Sequence, residues 1–121
     1  MIRVYEYKNC STCQKALKYL KAQGHKFETL PIVEKPPTLG ELKTMLKHIK
    51  AEGGTFRVLF NTSGQLYREL KIADKIQAGL DEASALALLS QHGKLIKRPF
   101  LLTPNGGAVG FRVGVWDKLL G

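Results

Sequence analysis

The sequence contains few cysteines and few acidic residues. Its 121 residues include two cysteines, three histidines, and ten Asp plus Glu against 19 Lys plus Arg, a formal net charge of +9 at pH 7. Structural zinc takes about four ligands, and no His-x-x-x-His pair is present, so the sequence predicts no metal site. The excess of positive charge favours an anionic partner. The lysines are scattered singly and no basic block contains aromatic residues, so we expect no direct nucleic-acid partner.

The sequence also lacks a long apolar run. No segment approaches the length of a membrane span, and Met1 leads into IRVYEY without the basic and apolar regions of a secretory signal. These absences predict a cytoplasmic protein with no membrane partner, and we expect a monomer. Because cytoplasmic thiols are kept reduced, a cysteine pair there is more often catalytic, redox-sensing or metal-binding than a permanent crosslink.

The first part of the chain alternates between strand and helix patterns. Residues 2–7, IRVYEY, and residues 26–32, KFETLPI, are rich in β-branched and aromatic residues and predict two strands. Between them, apolar residues recur at helical spacing from Ser11, and Gly24 ends the predicted helix. A strand, a helix and a strand in so short a span indicate a βαβ unit with parallel strands.

The middle of the chain predicts several helices. Thr38 is a candidate N-cap with Glu41 as its capping-box partner, and an apolar stripe follows as far as Ile49. The stretch NTSGQLYRELKI predicts a turn and one short helix. Asp81 is the candidate N-cap of a further helix that ends at Gly93.

The last third returns to strands. Segments 100–103 and 108–112 are extended and joined by TPNGG, in which Asn105-Gly106 is a strong signal for a two-residue hairpin turn. The stretch VWDKLLG predicts a final short helix.

These patterns combine into one predicted domain over residues 1–121. We expect an α/β fold with a thioredoxin-like mixed sheet, in which a βαβ half and a ββα half come from residues 1–35 and 94–121. Residues 36–93 form a predicted helical insertion between the two halves.

Cys10 and Cys13 form a Cys-x-x-Cys pair where the first strand gives way to the first helix. Cys10 falls at the helix N-cap, where free backbone N–H groups and the helix dipole stabilise a thiolate. Cys13, one turn later, can attack a mixed disulfide on Cys10. Ser11 and Thr12 supply donors that could hold an oxyanion above Cys10. Two inert buried cysteines remain an alternative, because Cys13 lies on the apolar stripe.

Four stretches taken together resemble the arsenate reductase / Spx (ArsC-like) family. They are YKNCSTCQKALKYL, PIVEKPPTLGELKTML, LFNTSGQLYREL and KRPFLLTPNGGAVGF, and the resemblance covers essentially the whole chain. It implies a thioredoxin-like fold with a helical insertion. It also implies that Cys10 is the nucleophile.

The resemblance further implies an anion site built from arginines. In classical arsenate reductases three arginines hold the oxyanion, and one precedes a cis-proline, which corresponds to Arg98-Pro99 here. Arg112 is the nearest candidate for the second, one place beyond Phe111 at the expected position. The third position holds Asn61, which can donate a hydrogen bond but carries no charge.

Two functions follow from the resemblance and the cysteine pair. The first is a thiol–disulfide oxidoreductase in which Cys13 or glutathione resolves an intermediate on Cys10. Its candidate substrates are arsenate, a mixed disulfide and a glutathionylated thiol, and glutathione or a glutaredoxin/thioredoxin system is the expected electron donor. No bound cofactor is expected. The second is a redox-sensing regulator of the Spx kind that binds the RNA polymerase alpha subunit through a Cys10–Cys13 switch.

Overall fold

The structure is a computed structural model that describes residues 1–121. Four strands and six α-helices follow one another along the chain: β1 Ile2–Glu6, α1 Ser11–Ala22, β2 Phe27–Pro31, α2 Leu39–Ala51, α3 Gln65–Glu69, α4 Ile72–Gln77, α5 Glu82–Gln91, β3 Phe100–Thr103, β4 Gly106–Val109 and α6 Val113–Leu120. Two 3₁₀ helices, Phe56–Leu59 and Gly93–Leu95, flank the group α3 to α5.

The four strands form one mixed sheet in the order β2-β1-β3-β4. β1 and β2 are parallel and are joined by α1, whereas β1–β3 and β3–β4 are antiparallel. The predicted α/β fold with a thioredoxin-like mixed sheet is therefore confirmed. The helices α2 to α5 come between β2 and β3 in the chain.

Alternation of side chains along the strands divides the core into two clusters. Val4 and Leu101 point to the face covered by α1 and α6, where they meet the fully buried Trp116. Tyr5 and Phe100 point to the opposite face and pack with the apolar side chains of α2 and α5. Because neighbouring residues of a strand face opposite sides, a strand that is buried on both faces must be apolar at almost every position, as Phe100–Thr103 is.

Local capping explains where the middle helices begin. The Thr38 side chain accepts a hydrogen bond from the Glu41 N–H, and a Glu41 carboxylate oxygen accepts one from the Thr38 N–H, which completes the predicted capping box. Asp81 caps α5 by accepting a hydrogen bond from the backbone N–H of Ser84, as predicted. Both helix starts were readable from the sequence because each cap contacts a residue only three positions away.

Three local predictions were wrong. The second hairpin strand is 106–109 and not 108–112, and Thr103 pairs with Gly106, so the turn residues are Pro104 and Asn105. Proline holds its φ near −65°, which rules out the turn with two left-handed residues that Asn-Gly favours. The stretch NTSGQLYRELKI contains the start of two helices, since Lys71 adopts a left-handed conformation (φ 53°) between α3 and α4.

The apolar stripe of α2 also differs from the sequence pattern. Leu39, at the start of the predicted stripe, is 42% exposed, and Met45 is buried in the core. Within the first turn of α2, Glu41 faces Tyr5 and Arg3 of β1, whereas Leu39 faces solvent. No helix of the structure is both long and apolar enough to span a membrane.

Candidate functional site

Cys10 lies at the junction between β1 and α1. Its backbone N–H donates to the Tyr7 carbonyl (3.0 Å), which closes a tight turn after the strand, and its own carbonyl accepts from Gln14 (3.1 Å), which starts the helix. Cys10 is the N-cap of α1, and its sulfur accepts a hydrogen bond from the backbone N–H of Cys13 at 3.3 Å. The side chain is partly exposed, so the sulfur can be reached from solvent.

Cys13 has a different environment one turn later. Its side chain is fully buried against the sheet, and both cysteines are free thiols. Burial and a hydrogen bond with Cys10 raise the pKa of Cys13 to about 12, although a backbone hydrogen bond with Tyr7 and the charge of Arg98 act in the opposite direction. Cys13 therefore remains protonated at neutral pH, and the two thiols differ in their access to solvent.

Arg98 lies close to the cysteine pair from the other end of the chain. It precedes β3, which is antiparallel to β1, so the residues before β3 lie beside the residues that follow β1. The Arg98 guanidinium carbon is 4.6 Å from the centre of the Tyr7 ring, a cation–π contact. The nitrogen Nη1 of Arg98 is buried and has no hydrogen-bond partner. The Arg98–Pro99 bond is cis, as the resemblance implies, and Pro99 is buried.

Two residues of this region were not predicted to have a role in the site. Tyr7 supports Arg98 with its ring, and its carbonyl accepts a hydrogen bond from the Cys10 N–H. Glu6, the last residue of β1, has one carboxylate oxygen that is buried without a hydrogen-bond partner. The only sequence signal for either residue is its position at the strand end, just before the cysteine pair.

Ser11 and Thr12 occupy the first turn of α1. Both side chains are exposed, and the backbone N–H groups of a first helical turn have no partner within the helix. Donors are therefore available beside the Cys10 sulfur, from the backbone of this turn as well as from its hydroxyl groups.

Asn61 lies in a turn of the insertion. Its backbone N–H donates to Leu95 (2.7 Å), and its carbonyl accepts from Gly64 (3.1 Å). The side-chain amide lies against Gly64, where an added Cβ would come within 2.8 Å of Nδ2. The contacts of Asn61 are therefore those of a turn residue that joins the insertion to the segment before Arg98.

Arg112 lies in a groove along β4, apart from the region around Cys10. It is the exposed N-cap of α6, and it lines this groove together with Lys97 and Lys118. Neither Cys10 nor Arg98 lines this groove. The structure therefore does not group Arg112 with Arg98, and Arg98 is the predicted arginine that lies beside the cysteines.

No group of three or more His, Cys, Asp or Glu side chains is placed so that it could hold a metal ion. The chemistry that this region can perform is that of an accessible sulfur with nearby N–H donors, a buried second thiol and one guanidinium.

Comparison with known proteins places the chain in one family. The sequence profile of the ArsC family matches residues 5–119. The uncharacterized protein YusI of Bacillus subtilis is 38% identical over 114 residues, which cover 94% of this chain and 93% of that protein. An arsenate reductase of Neisseria meningitidis is 28% identical over 90% of this chain and 89% of its own length. The global transcriptional regulator Spx of Enterococcus faecalis is 28% identical over 92% of this chain and 80% of its own.

Solved structures agree with this result. An ArsC family related protein from Bacteroides fragilis superimposes with a TM-score of 0.88 at 38% identity, and the match covers 98% of this chain and 96% of that one. A protein of Streptococcus mutans described as a possible arsenate reductase gives a TM-score of 0.83 at 33% identity, over 98% and 97% of the two chains. The profile match, the relatives and the shared fold agree, and the chain belongs to the ArsC family.

Proposed function

We propose that this protein is a thiol-dependent reductase in which Cys10 is the nucleophile and Cys13 the resolving thiol. The observation that carries the proposal is the contrast between the two cysteines. Cys10 is accessible and its sulfur accepts an N–H hydrogen bond, whereas Cys13 is buried with its pKa raised to about 12. A nucleophile needs access and stabilisation of its anion, and a resolving thiol needs only to reach the neighbouring sulfur.

The proposed reaction is thiol–disulfide exchange in two steps. The Cys10 thiolate attacks one sulfur of a substrate disulfide, forms a Cys10–substrate bond, and expels the other sulfur as a thiolate that takes up a proton. Cys13 then loses its proton and attacks the Cys10 sulfur, which forms a Cys10–Cys13 disulfide and releases the second substrate thiol. The substrate gains two electrons and the cysteine pair loses two. Glutathione or a glutaredoxin or thioredoxin system, which the predicted cytoplasmic address would supply, restores both thiols.

Arg98 gives the proposed site a preference for anionic substrates. Its Nη1 has no hydrogen-bond partner in the protein, so a carboxylate or an oxyanion that displaces the groups covering this nitrogen would replace no existing hydrogen bond. Free N–H groups of the first turn of α1 add further donors. Asn61 lies against Gly64 and Arg112 lines the groove along β4, so we assign a single guanidinium to this site. We therefore favour glutathionylated or disulfide substrates over arsenate.

A substrate panel tests the proposal. Glutathionylated peptide, a peptide disulfide, and arsenate with glutathione and glutaredoxin are offered to the parent protein, Cys10→Ser and Cys13→Ser. We expect Cys10→Ser to be inactive and Cys13→Ser to accumulate a Cys10 adduct with the mass of one glutathionyl group. A Cys10→Ser protein as active as the parent would falsify the proposal.

A second candidate function is a redox-sensing regulator that binds the RNA polymerase alpha subunit. It is favoured by the relative named Spx and by the adjacent pair of free thiols. Formation of the Cys10–Cys13 disulfide would remove the N–H hydrogen bond to the Cys10 sulfur and alter the start of α1. Pull-down with purified alpha subunit under reducing and oxidising conditions tests this function. Binding in one redox state only supports it, and equal or absent binding in both states argues against it.

A further inference from the structure

The groove that Arg112 lines runs along β4, and neither cysteine lines it. Its volume is about 580 Å³, and residues of α2 and α6 form its two walls. The floor is the strand itself, where Gly106, Gly107 and Ala108 have little or no side chain. The groove is thus a recess in which a backbone can approach the backbone of β4.

β4 is an edge strand, because it pairs with β3 and with no other strand. In an antiparallel ladder, residue pairs that exchange hydrogen bonds alternate with pairs that do not. The Gly110 N–H donates to the Pro99 carbonyl (2.8 Å), so these two residues form a bonded pair just beyond β4. By alternation from this pair, Ala108 and Gly106 also belong to bonded pairs. The N–H and C=O groups of Gly107 and Val109 therefore point away from β3. These outward groups make no backbone hydrogen bond elsewhere and can pair with an added strand.

The two walls of the groove differ in chemistry. On the α6 side, Arg112, Val115 and Lys118 follow helical spacing, so two cations lie on one wall. On the α2 side, Ile49 and the 40% exposed Val58 supply apolar surface, and His48 and Glu52 add polar groups to the same wall. Lys97 lies at one end, with its side chain against Gly110.

These features define which segment would fit. Successive side chains of a strand point to opposite faces of the sheet, so a strand added to β4 would direct alternate residues to the α6 wall and the α2 wall. Acidic residues suit the cationic wall and apolar residues suit the other. With a rise of about 3.3 Å per residue, the four residues of β4 would pair with roughly four or five partner residues.

We propose that this groove binds an extended segment of a partner protein in which acidic and apolar residues alternate, and that the segment adds a strand to β4. Charge complementarity identifies the partner as acidic. A second copy of this chain is a poor occupant, because pairing β4 with β4 would bring the same cations together and each copy carries a net charge of +9. This surface is independent of the proposed thiol chemistry.

The experiment titrates a hexapeptide of alternating glutamate and valine, blocked at both ends, into the isotopically labelled protein. We expect the amide resonances of Gly107 and Val109 to shift and their hydrogen exchange to slow. The same peptide with lysine in place of glutamate should not bind. Two further peptides are N-methylated, one at its odd-numbered and one at its even-numbered residues. Only one of these two sets of N–H groups faces β4, so one methylated peptide should fail to bind and the other should still bind.

Charge reversal in the protein completes the test. Arg112→Glu combined with Lys118→Glu should weaken binding about tenfold or more, whereas Lys21→Glu with Lys43→Glu, exposed lysines outside the groove, should have a much smaller effect. Far-UV circular dichroism shows that each variant is folded. The proposal is overturned by equal binding of the lysine peptide, by binding of both N-methylated peptides, or by a dimer of this chain that occupies β4.

Discussion

The backbone N–H of Cys13 points at the sulfur of Cys10 across 3.3 Å, within the first turn of α1. The same turn that presents one sulfur to solvent buries the other against the sheet. The contrast between the two thiols is therefore a consequence of helix geometry, since residues three apart share a side of the helix while only the second lies over the sheet.

Alkylation should distinguish the two cysteines. With iodoacetamide at neutral pH, we expect Cys10 to be modified first and Cys13 only after unfolding, because Cys13 is fully buried and its pKa is raised to about 12. Peptide mapping by mass spectrometry locates the label. Cys10→Ser should lose the rapid phase and Cys13→Ser should retain it. Rapid labelling of Cys13 in the folded parent would contradict the assignment of roles.

Removal of the Tyr7 ring should weaken the binding of an anionic substrate through Arg98. A cation–π contact contributes about 0.5–1 kcal/mol at an exposed site, so Tyr7→Leu should raise KM roughly two- to fivefold on a glutathionylated peptide. Tyr7→Phe keeps the ring and should keep the parent KM. Tyr19→Leu, whose ring packs on Phe111 and not on Arg98, is the matched control. Equal effects of both leucine variants would mean that the loss is one of general stability.

The Glu41 carboxylate should make the free energy of unfolding decrease at acidic pH. Burial raises the pKa of Glu41, but hydrogen bonds from Thr38 and Tyr5 and the charge of Arg3 outweigh it and hold the pKa below its usual 4.5. Arg3 pairs with Glu41 at 2.6 Å and the Tyr5 hydroxyl donates to it at 2.7 Å.

For a carboxyl with a lowered folded pKa, the stabilisation is present above the unfolded value of about 4.5 and is lost as the pH falls through the folded value. Glu41→Gln should therefore reduce the free energy of unfolding at pH 7, by about 1–3 kcal/mol, and flatten its decline towards pH 3. Urea denaturation at both pH values measures this, with the exposed Glu34→Gln as the control. If the free energy of unfolding fell equally towards pH 3 in the parent and in Glu41→Gln, the titration of Glu41 would not be the cause of the acid dependence.

Two glycine substitutions should act in opposite directions. A Cβ on Gly93 would lie 1.8 Å from the Ile32 carbonyl oxygen, so Gly93→Ala must displace backbone and should cost about 3 kcal/mol or more. Gly114 is inside α6 with nothing within 4 Å of an added Cβ, so Gly114→Ala should stabilise the protein by about 0.5–1 kcal/mol. Chemical denaturation measures both. Stabilisation by Gly93→Ala would show that the contact with Ile32 is not a constraint on folding.

Local sequence was sufficient for the elements whose determinants lie within a few residues. The N-caps at Cys10, Thr38 and Asp81 were predictable, because each cap bonds a residue three positions along the chain. Both parallel strands and the helical identity of the regions that follow them were likewise evident from periodicity. These local rules also predict that the cysteine pair lies at the start of a helix.

Long-range packing determined what the sequence pattern did not show. Tyr7 and Arg98 come from opposite ends of the chain and meet because β1 and β3 are neighbours in the sheet. The register of β4 depends on β3, and the place of Arg112 in the groove beside β4 depends on how α6 returns over the sheet. Contacts of this kind leave no periodic signal along the chain. The sequence alone therefore predicted Cys10 as the candidate nucleophile, whereas the folded structure determined which cation lies beside it.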